Sequence, residues 1–79
     1  MDQIKSLADL KPNDTATVVS VNCSSNIRRR LKDIGLIEGT KVKCVLQSPF
    51  KDPKAFLIRG AVIALRNDDS SQIYVRADV

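Results

Sequence analysis

Three consecutive arginines, Arg28, Arg29 and Arg30, form a dense run of positive charge and the first candidate for binding chemistry. Guanidinium groups bind phosphate and carboxylate oxygens well. On a helix, however, successive side chains are about 100° apart, so three of them spread over about 200° and form no single flat patch. We expect Arg29 to point away from the core with Lys32 and Asp33. Arg28 and Arg30 should flank the apolar stripe, with their aliphatic stems covering core residues.

The surroundings of the arginine run limit what it can bind. Arg28 falls in the first turn of the predicted helix, where the helix dipole disfavours a cation, so an acidic partner would fit there. Nucleic-acid binding would favour aromatic stacking positions beside the basic groups, yet Phe50, Phe56 and Tyr74 all lie outside the helix. We therefore expect no nucleic-acid binding. A solvated helix face and a protein-binding surface both remain open.

Residues for catalysis or metal binding are sparse in this chain. Histidine is absent, which removes the commonest general base, and no glycine-rich phosphate loop is present. Cys23 and Cys44 lie outside any C-x-x-C spacing, so we expect two reduced, partly buried thiols. Asp68 and Asp69 are neighbours in a predicted turn. The sequence therefore predicts no enzyme, no catalytic residues, no cofactor and no metal site.

The composition indicates one small domain. The chain has 79 residues, a formal net charge of +4 and 43% hydrophobic residues, so we assign residues 1–79 to a single domain. The apolar runs are short and interrupted by polar residues, so we predict no membrane insertion. The first ten residues lack the apolar region of a secretory signal, and we expect a cytoplasmic protein.

The arginines belong to a predicted short helix. Ser24 or Ser25 can cap its start, and Gly35 is well suited to the left-handed position that closes a helix. Three apolar residues recur at the helical spacing i, i+4 and i+7 on the side expected to face the core: Ile27, Leu31 and Ile34.

Five short strands are predicted around this helix. They comprise residues 15–21, 40–47, 55–60, 61–67 and 73–79, separated by turn signals such as the Asp-Asp-Ser-Ser-Gln stretch at 68–72. In the second strand Val42, Cys44 and Leu46 share one face. Many short strands and one helix favour a small β-barrel or rolled sheet.

The loop Ser-Pro-Phe-Lys-Asp-Pro-Lys at 48–54 is a second candidate for contacts. Two prolines interrupt the strand pattern, because proline cannot donate to a ladder of hydrogen bonds. Phe50 between them could be a rigid hydrophobic contact point for a partner. It could equally fold back and plug one end of the barrel.

Together these segments resemble the FeoA family. The pattern R-R-L-x-D-x-G-x-x-x-G-x-x-V begins at Arg29, a P-x-x-D-P segment begins at Pro49, and A-L-R follows at Ala64. The resemblance extends from about Ile4 to Val75. Its spacing over nearly the whole chain is more specific than any single motif. The matching residues in the first pattern are Arg29, Arg30, Leu31, Asp33, Gly35, Gly39 and Val42.

This resemblance implies a fold and a role. The fold is a mainly β, SH3-like five-stranded β-barrel with one short α-helix inserted between the first two strands. The role is that of a cytoplasmic accessory protein of ferrous iron uptake, docking on the cytosolic, GTPase-bearing part of the FeoB transporter. The alternative is a stand-alone relative of the C-terminal domain of metal-dependent transcriptional repressors. We expect a monomer or weak homodimer that leaves the metal to its partner.

A partner-binding surface is expected on the helix and the turn after it. Leu36 and Ile37 are adjacent, so at least one should point away from the core and could anchor a partner beside the basic face. The expected surface comprises Arg28, Arg29, Lys32, Leu36, Ile37 and Glu38, with Phe50 as a further contact.

Overall fold

Six antiparallel strands and one nine-residue helix make up most of the fold. The computed structural model describes residues 4–50 and 52–77. The strands are β1 (Ile4–Ser6), β2 (Thr15–Val21), β3 (Lys41–Gln47), β4 (Lys54–Ile58), β5 (Ala61–Leu65) and β6 (Ile73–Ala77). The helices are α1 (Ser25–Asp33) and the four-residue α2 (Asn67–Ser70), and a 3-10 turn spans Leu7–Asp9.

The strands form one sheet in the order β1-β6-β2-β3-β4-β5. The predicted mainly β fold, with a helix between the first two long strands, is confirmed. The sheet has six strands rather than five, because Ile4–Ser6 pairs with β6. Three residues are too few for a strand to show a recognisable alternation in the sequence. The stretch 67–70, expected as part of a strand and a turn, instead forms one helical turn.

The core is built from alternating strand residues and from the 3-10 turn. Phe56 and Ile58 of β4 and Ile73 and Val75 of β6 are fully buried, as period-two alternation requires. Leu7 closes the core from the 3-10 turn. The core of so small a domain is thin, so the loss of one of these side chains would remove a large share of it.

The end of α1 has the geometry of a Schellman motif. The N–H of Leu36 donates to the carbonyl of Leu31 at 2.8 Å, and the N–H of Gly35 donates to that of Lys32 at 3.0 Å. Gly35 has a φ of +91°, so the predicted glycine stop is confirmed. Leu31 and Leu36 are both buried, which is the hydrophobic contact that accompanies this motif.

A second constraint acts on Gly35. The two-residue turn between β4 and β5, Arg59 and Gly60, has positive φ at both positions (50° and 86°). This turn brings the Arg59 side chain over the helix end, and a Cβ on Gly35 would lie 2.3 Å from its Cδ. A cation near the C-terminal carbonyls of a helix is favourable. Gly35 thus allows both the left-handed backbone and the close approach of Arg59.

Lys54 is a buried cation, although it was predicted from the sequence to lie in a loop. It is 7% exposed at the start of β4, and its Nζ donates to the carbonyl oxygens of Ala8 and, at 3.1 Å, of Leu10. These bonds join β4 to the 3-10 turn and the residue that follows it. A lysine directly after Pro53 gave no sign of burial in the sequence, because lysine is rarely buried.

Both cysteines lie in the core as free thiols, as predicted. Burial raises the pKa of the Cys23 thiol; Asp69 raises it further and Arg28 opposes the rise. Burial likewise raises the pKa of the Cys44 thiol, against the nearby charge of Lys54. The Cys23 Sγ donates to the carbonyl of Asp69 at 3.5 Å, which joins the end of β2 to α2.

The first prediction concerns Gly35. Replacement by alanine, Gly35→Ala, should lower the free energy of unfolding by about 2–3 kcal/mol, from left-handed strain and displacement of Arg59. The matched control is Gly39→Ala, where φ is +88° but no atom lies within 4 Å of the added Cβ. The Gly39→Ala variant should lose only about 1–2 kcal/mol of its free energy of unfolding. Urea unfolding of both variants measures the difference. Equal losses of stability in the two variants would show that the contact between Gly35 and Arg59 does not affect the free energy of unfolding.

The second prediction concerns the thiols. An unfolded thiol ionises near pH 9.0, whereas the folded thiols remain protonated to higher pH. The unfolded state then binds fewer protons, so the free energy of unfolding should fall as the pH rises above 9.0. The slope is at most about 1.4 kcal/mol per pH unit for each thiol.

The control for this prediction is the double variant Cys23→Ala/Cys44→Ala, which keeps every other side chain of the protein. Urea unfolding on either side of pH 9.0 should show a steeper loss of stability for the unaltered chain. The same pH dependence in both proteins would rule out the thiols as its source.

Candidate partner-binding site

A groove lies where α1, the end of β2 and the turn before β3 meet. We call it the α1–turn groove, and its volume is about 500 Å³. Its lining residues are Ser20, Val21, Asn22, Arg28, Lys32, Leu36, Ile37 and Glu38. Five of the seven residues predicted for partner binding are therefore brought together in one concave surface.

Two cations occupy the helix side of this groove. Arg28 and Lys32 are four residues apart, which places them on one face of α1, and both are exposed. Glu38 supplies a carboxylate from the turn, and Ile37 is 45% exposed beside it. The groove thus combines a basic wall, one acidic residue and an exposed branched aliphatic side chain.

Leu36 is the residue of the Leu36–Ile37 pair that faces the core. It is only 1% exposed, because as the residue after Gly35 it packs on the core beside Leu31, so its side chain supports the floor of the groove. Ile37 has the exposed position instead, which confirms that one of the two residues points outward. Ile34 was expected to face the core but is 38% exposed. It caps the helix with φ −89° and ψ 1°, after the last helical residue, so the face of α1 no longer fixes its direction.

Thr40 holds the turn that carries Ile37 and Glu38. This buried hydroxyl donates to the carbonyl of Gly35 at 2.9 Å and accepts from the N–H of Ile37 at 3.2 Å. The backbone of this turn is also hydrogen-bonded to β2. The Gly39 N–H donates to the Val18 carbonyl at 2.8 Å, and the Val18 N–H donates to the Thr40 carbonyl at 2.9 Å. Thr40 is not among the site residues predicted from the sequence, although threonine side chains often make such local bonds to the backbone. The rim of the groove is therefore fixed in place.

The arginine run divides between surfaces. All three side chains are exposed, although only Arg29 was predicted to point directly away from the core. Arg28 lines the α1–turn groove, whereas Arg29 lies outside it on the solvent side of α1.

Phe50 does not contribute to the α1–turn groove. Its side chain is 90% exposed, so the alternative in which it plugs the barrel is wrong. The loop is held by Asp52, whose N–H donates to Ser48 Oγ at 2.9 Å and whose Oδ1 accepts from Asn67 N–H at 3.0 Å. That N–H is at the first residue of α2. Phe50 is therefore an exposed aromatic side chain on a loop anchored at both Ser48 and α2.

Metal ligation and membrane crossing find no support in the described parts of the chain. Within 4–50 and 52–77, no three or more Cys, Asp or Glu side chains cluster closely enough to hold a metal ion. No helix among these residues is long and apolar enough to cross a membrane.

Comparison with known proteins supports the resemblance found in the sequence. The FeoA domain model matches residues 5–77. The Fe(2+) transport protein A/Fe(2+) transporter FeoB fusion protein of Porphyromonas gingivalis is 29% identical over 69 residues. That match covers 87% of this chain and 8% of the fusion protein, so the chain spans a small part of that relative.

Solved structures show the same fold. The FeoA protein from Chlorobium tepidum has 34% identity and a TM-score of 0.89, over 94% of this chain and 70% of that chain. A zinc-complexed FeoA from Stenotrophomonas maltophilia, described as a unique prokaryotic SH3 domain protein, has 28% identity and a TM-score of 0.76. That likeness covers 89% of this chain and 87% of that one.

A repressor shares the fold at lower identity. A manganese-dependent transcriptional repressor has a TM-score of 0.87 and 18% identity, over 99% of this chain and 44% of that chain. Identity this low shows the fold alone. The domain model, by contrast, covers almost all of the chain, and the FeoA protein of Chlorobium tepidum is more than 30% identical to it. The chain belongs to the FeoA family.

Proposed function

We propose that this protein is a cytoplasmic accessory protein of ferrous iron uptake that docks on the cytosolic part of a FeoB-type transporter and modulates transport. The observation that carries the proposal is the α1–turn groove, where Arg28, Lys32, Ile37 and Glu38 converge. The fusion of the two modules in the Porphyromonas gingivalis relative supports the choice of partner. Fusion raises the effective concentration of one module near the other, which is useful when the two act together.

The chemistry of the groove defines the partner surface it would fit. Arg28 and Lys32 favour an acidic patch, which would also offset the cost of a cation in the first turn of α1. Ile37 would insert as the apolar anchor, because a central apolar contact ringed by polar groups carries most of the energy in many interfaces. Arg29, outside the groove, would act at the rim and mainly affect the rate of association.

Phe50 offers a second contact to the same partner. An aromatic side chain that is 90% exposed is unusual on a small domain, and aromatic residues are enriched in protein interfaces. Asp52 restrains the loop, so less conformational entropy would be lost on binding. The proposed role requires no catalysis and no bound metal in this chain, since the transporter would handle the iron.

A role in transcriptional control, through protein or DNA, is the second candidate. The observation in its favour is the fold shared with the manganese-dependent repressor. A gel-shift assay over a range of salt concentrations separates the candidates, because phosphate contacts weaken steeply as salt rises. Retardation of DNA that disappears with salt would favour this role, and no retardation at low salt would leave the transporter as the better partner.

The third prediction tests docking in the α1–turn groove. Calorimetric titration should show binding to the isolated cytosolic domain of a FeoB transporter. Ile37→Asp should weaken it by about tenfold or more, through loss of the apolar anchor. The double variant Arg28→Glu/Lys32→Glu should weaken it by a factor that decreases as salt is added, because added ions screen surface charges.

Matched controls for these variants lie on β3, outside the groove. Leu46→Asp places the same charge at an apolar residue that is 64% exposed, and Lys41→Glu reverses one exposed cation. Both should bind as the unaltered chain does. No binding at high micromolar concentration, or equal weakening by the controls, would reject docking through this groove.

A further inference from the structure

A second groove lies on the opposite side of α1, between the helix and strand β5. We call it the α1–β5 groove, and its volume is about 500 Å³. One wall is the helix and the other is the strand and the residues that follow it. The lining residues are Ile27, Arg30, Leu31, Ile34, Ile63, Ala64, Leu65, Arg66 and Asp69.

Strand β5 is an edge of the sheet. In the part of the chain that the structure describes, it pairs with β4 alone. Ile58 and Ala61 flank the two-residue turn, so they form a hydrogen-bonded pair, and such pairs alternate along an antiparallel ladder. Val62 and Ala64 therefore occupy the non-bonded positions relative to β4. Their N–H and C=O groups point away from the sheet, and Ala64 lines the groove.

The groove walls provide apolar contacts and net positive charge. Ile34 is 38% exposed, while Ile27 and Ile63 are half-buried against the core. Arg30 projects from α1 and Arg66 follows β5, and both are exposed. Asp69 is the single carboxylate in the lining. An occupant would therefore meet hydrogen-bonding backbone, aliphatic side chains and two guanidinium groups.

We propose that the α1–β5 groove binds an extended, acidic segment of a partner protein, which adds to β5 as a seventh strand. Addition of a strand satisfies unpaired backbone groups of an exposed edge, and side-chain pockets beside the edge then select the sequence. Ile34 and Ile63 would receive apolar side chains of the segment. Arg30 and Arg66 would pair with its carboxylates.

A second copy of this chain fits the groove less well. Pairing of β5 with itself about a two-fold axis would place the Arg30 and Arg66 guanidinium groups of both copies in one shared groove. Each chain also carries a net charge of +4. Like charges in a partly buried interface oppose association, whereas an acidic strand neutralises them.

The proposal is independent of docking in the α1–turn groove. Arg28 and Lys32 lie on one side of α1, and Ile27, Arg30 and Ile34 lie on the other. The two sites can therefore be tested with separate variants, and failure of one leaves the other standing.

The test uses a short, blocked peptide of alternating valine and glutamate, titrated into isotopically labelled protein. Binding should shift the amide resonances of Val62 and Ala64 more than those of Ile37 and Glu38. Two matched peptides serve as controls: one replaces glutamate by lysine, and the other carries N-methyl groups on alternate backbone nitrogens. The lysine peptide should bind at least about threefold more weakly, and so should the peptide N-methylated on the edge that pairs with β5.

Variants of this protein, titrated with the same glutamate peptide, also test the α1–β5 groove. Ala64→Pro removes one outward N–H without breaking the ladder to β4, since proline is tolerated on edge strands. It should weaken peptide binding about threefold to tenfold, whereas the matched Ala64→Ser should not. Arg30→Glu should weaken binding by a similar factor, and Arg29→Glu, outside the groove, should change it less.

Three results would overturn the proposal. The first is equal binding of the glutamate peptide and of the peptide N-methylated on the edge that pairs with β5. The second is equal effects of Arg30→Glu and Arg29→Glu. The third is concentration-dependent self-association that shifts Val62 and Ala64 in the absence of peptide, which would identify a second copy as the occupant. If Ala64→Pro fails to fold, the peptide controls and the comparison of Arg30→Glu with Arg29→Glu still test the proposal.

Discussion

The left-handed end of α1 is the constraint on which the rest of the fold depends. Gly35 turns the chain sharply, so that Leu36 packs beneath the helix against Leu31 and Ile37 emerges on the surface. The same glycine leaves room for the Arg59 side chain, which links the helix end to the turn between β4 and β5. Thr40 then bonds the following turn to Gly35. One residue without a side chain thus fixes the position of the helix and of the loop beside it.

Helix α1 separates two grooves because few of its side chains are buried. Leu31 is its one buried residue, and Ile27 is half-buried. The remaining faces border the α1–turn groove on one side and the α1–β5 groove on the other. A helix with a wider apolar face would sink into the sheet and close both grooves. The arginines are divided between the two sides, so each groove receives a cation from the same short run.

Local signals in the sequence predicted the helix, its glycine stop and most of the strands. Residue spacing was informative for Val42 and Cys44, which share a buried face as predicted. Leu46 was predicted on the same face but is 64% exposed, because the register of β3 shifts between Cys44 and Leu46. Residue spacing was not informative at the ends of helices and strands, where tertiary contacts determine which side chains are buried. Ile34 follows the last helical residue and is exposed, while Leu36 is buried by the Schellman geometry. Lys54 is buried because two carbonyls distant in sequence accept from its amine, and no local pattern encodes such a contact.

Docking through the α1–turn groove is the central claim, and its most direct test maps binding residue by residue. Labelled protein titrated with the cytosolic domain of a FeoB transporter should show the largest amide shifts at Arg28, Lys32, Ile37 and Glu38. Small shifts are expected along β1, an edge strand whose residues do not line the groove. Absence of shifts at high micromolar concentrations of the transporter domain would contradict the claim. So would shifts centred on another surface while these four residues stay unchanged.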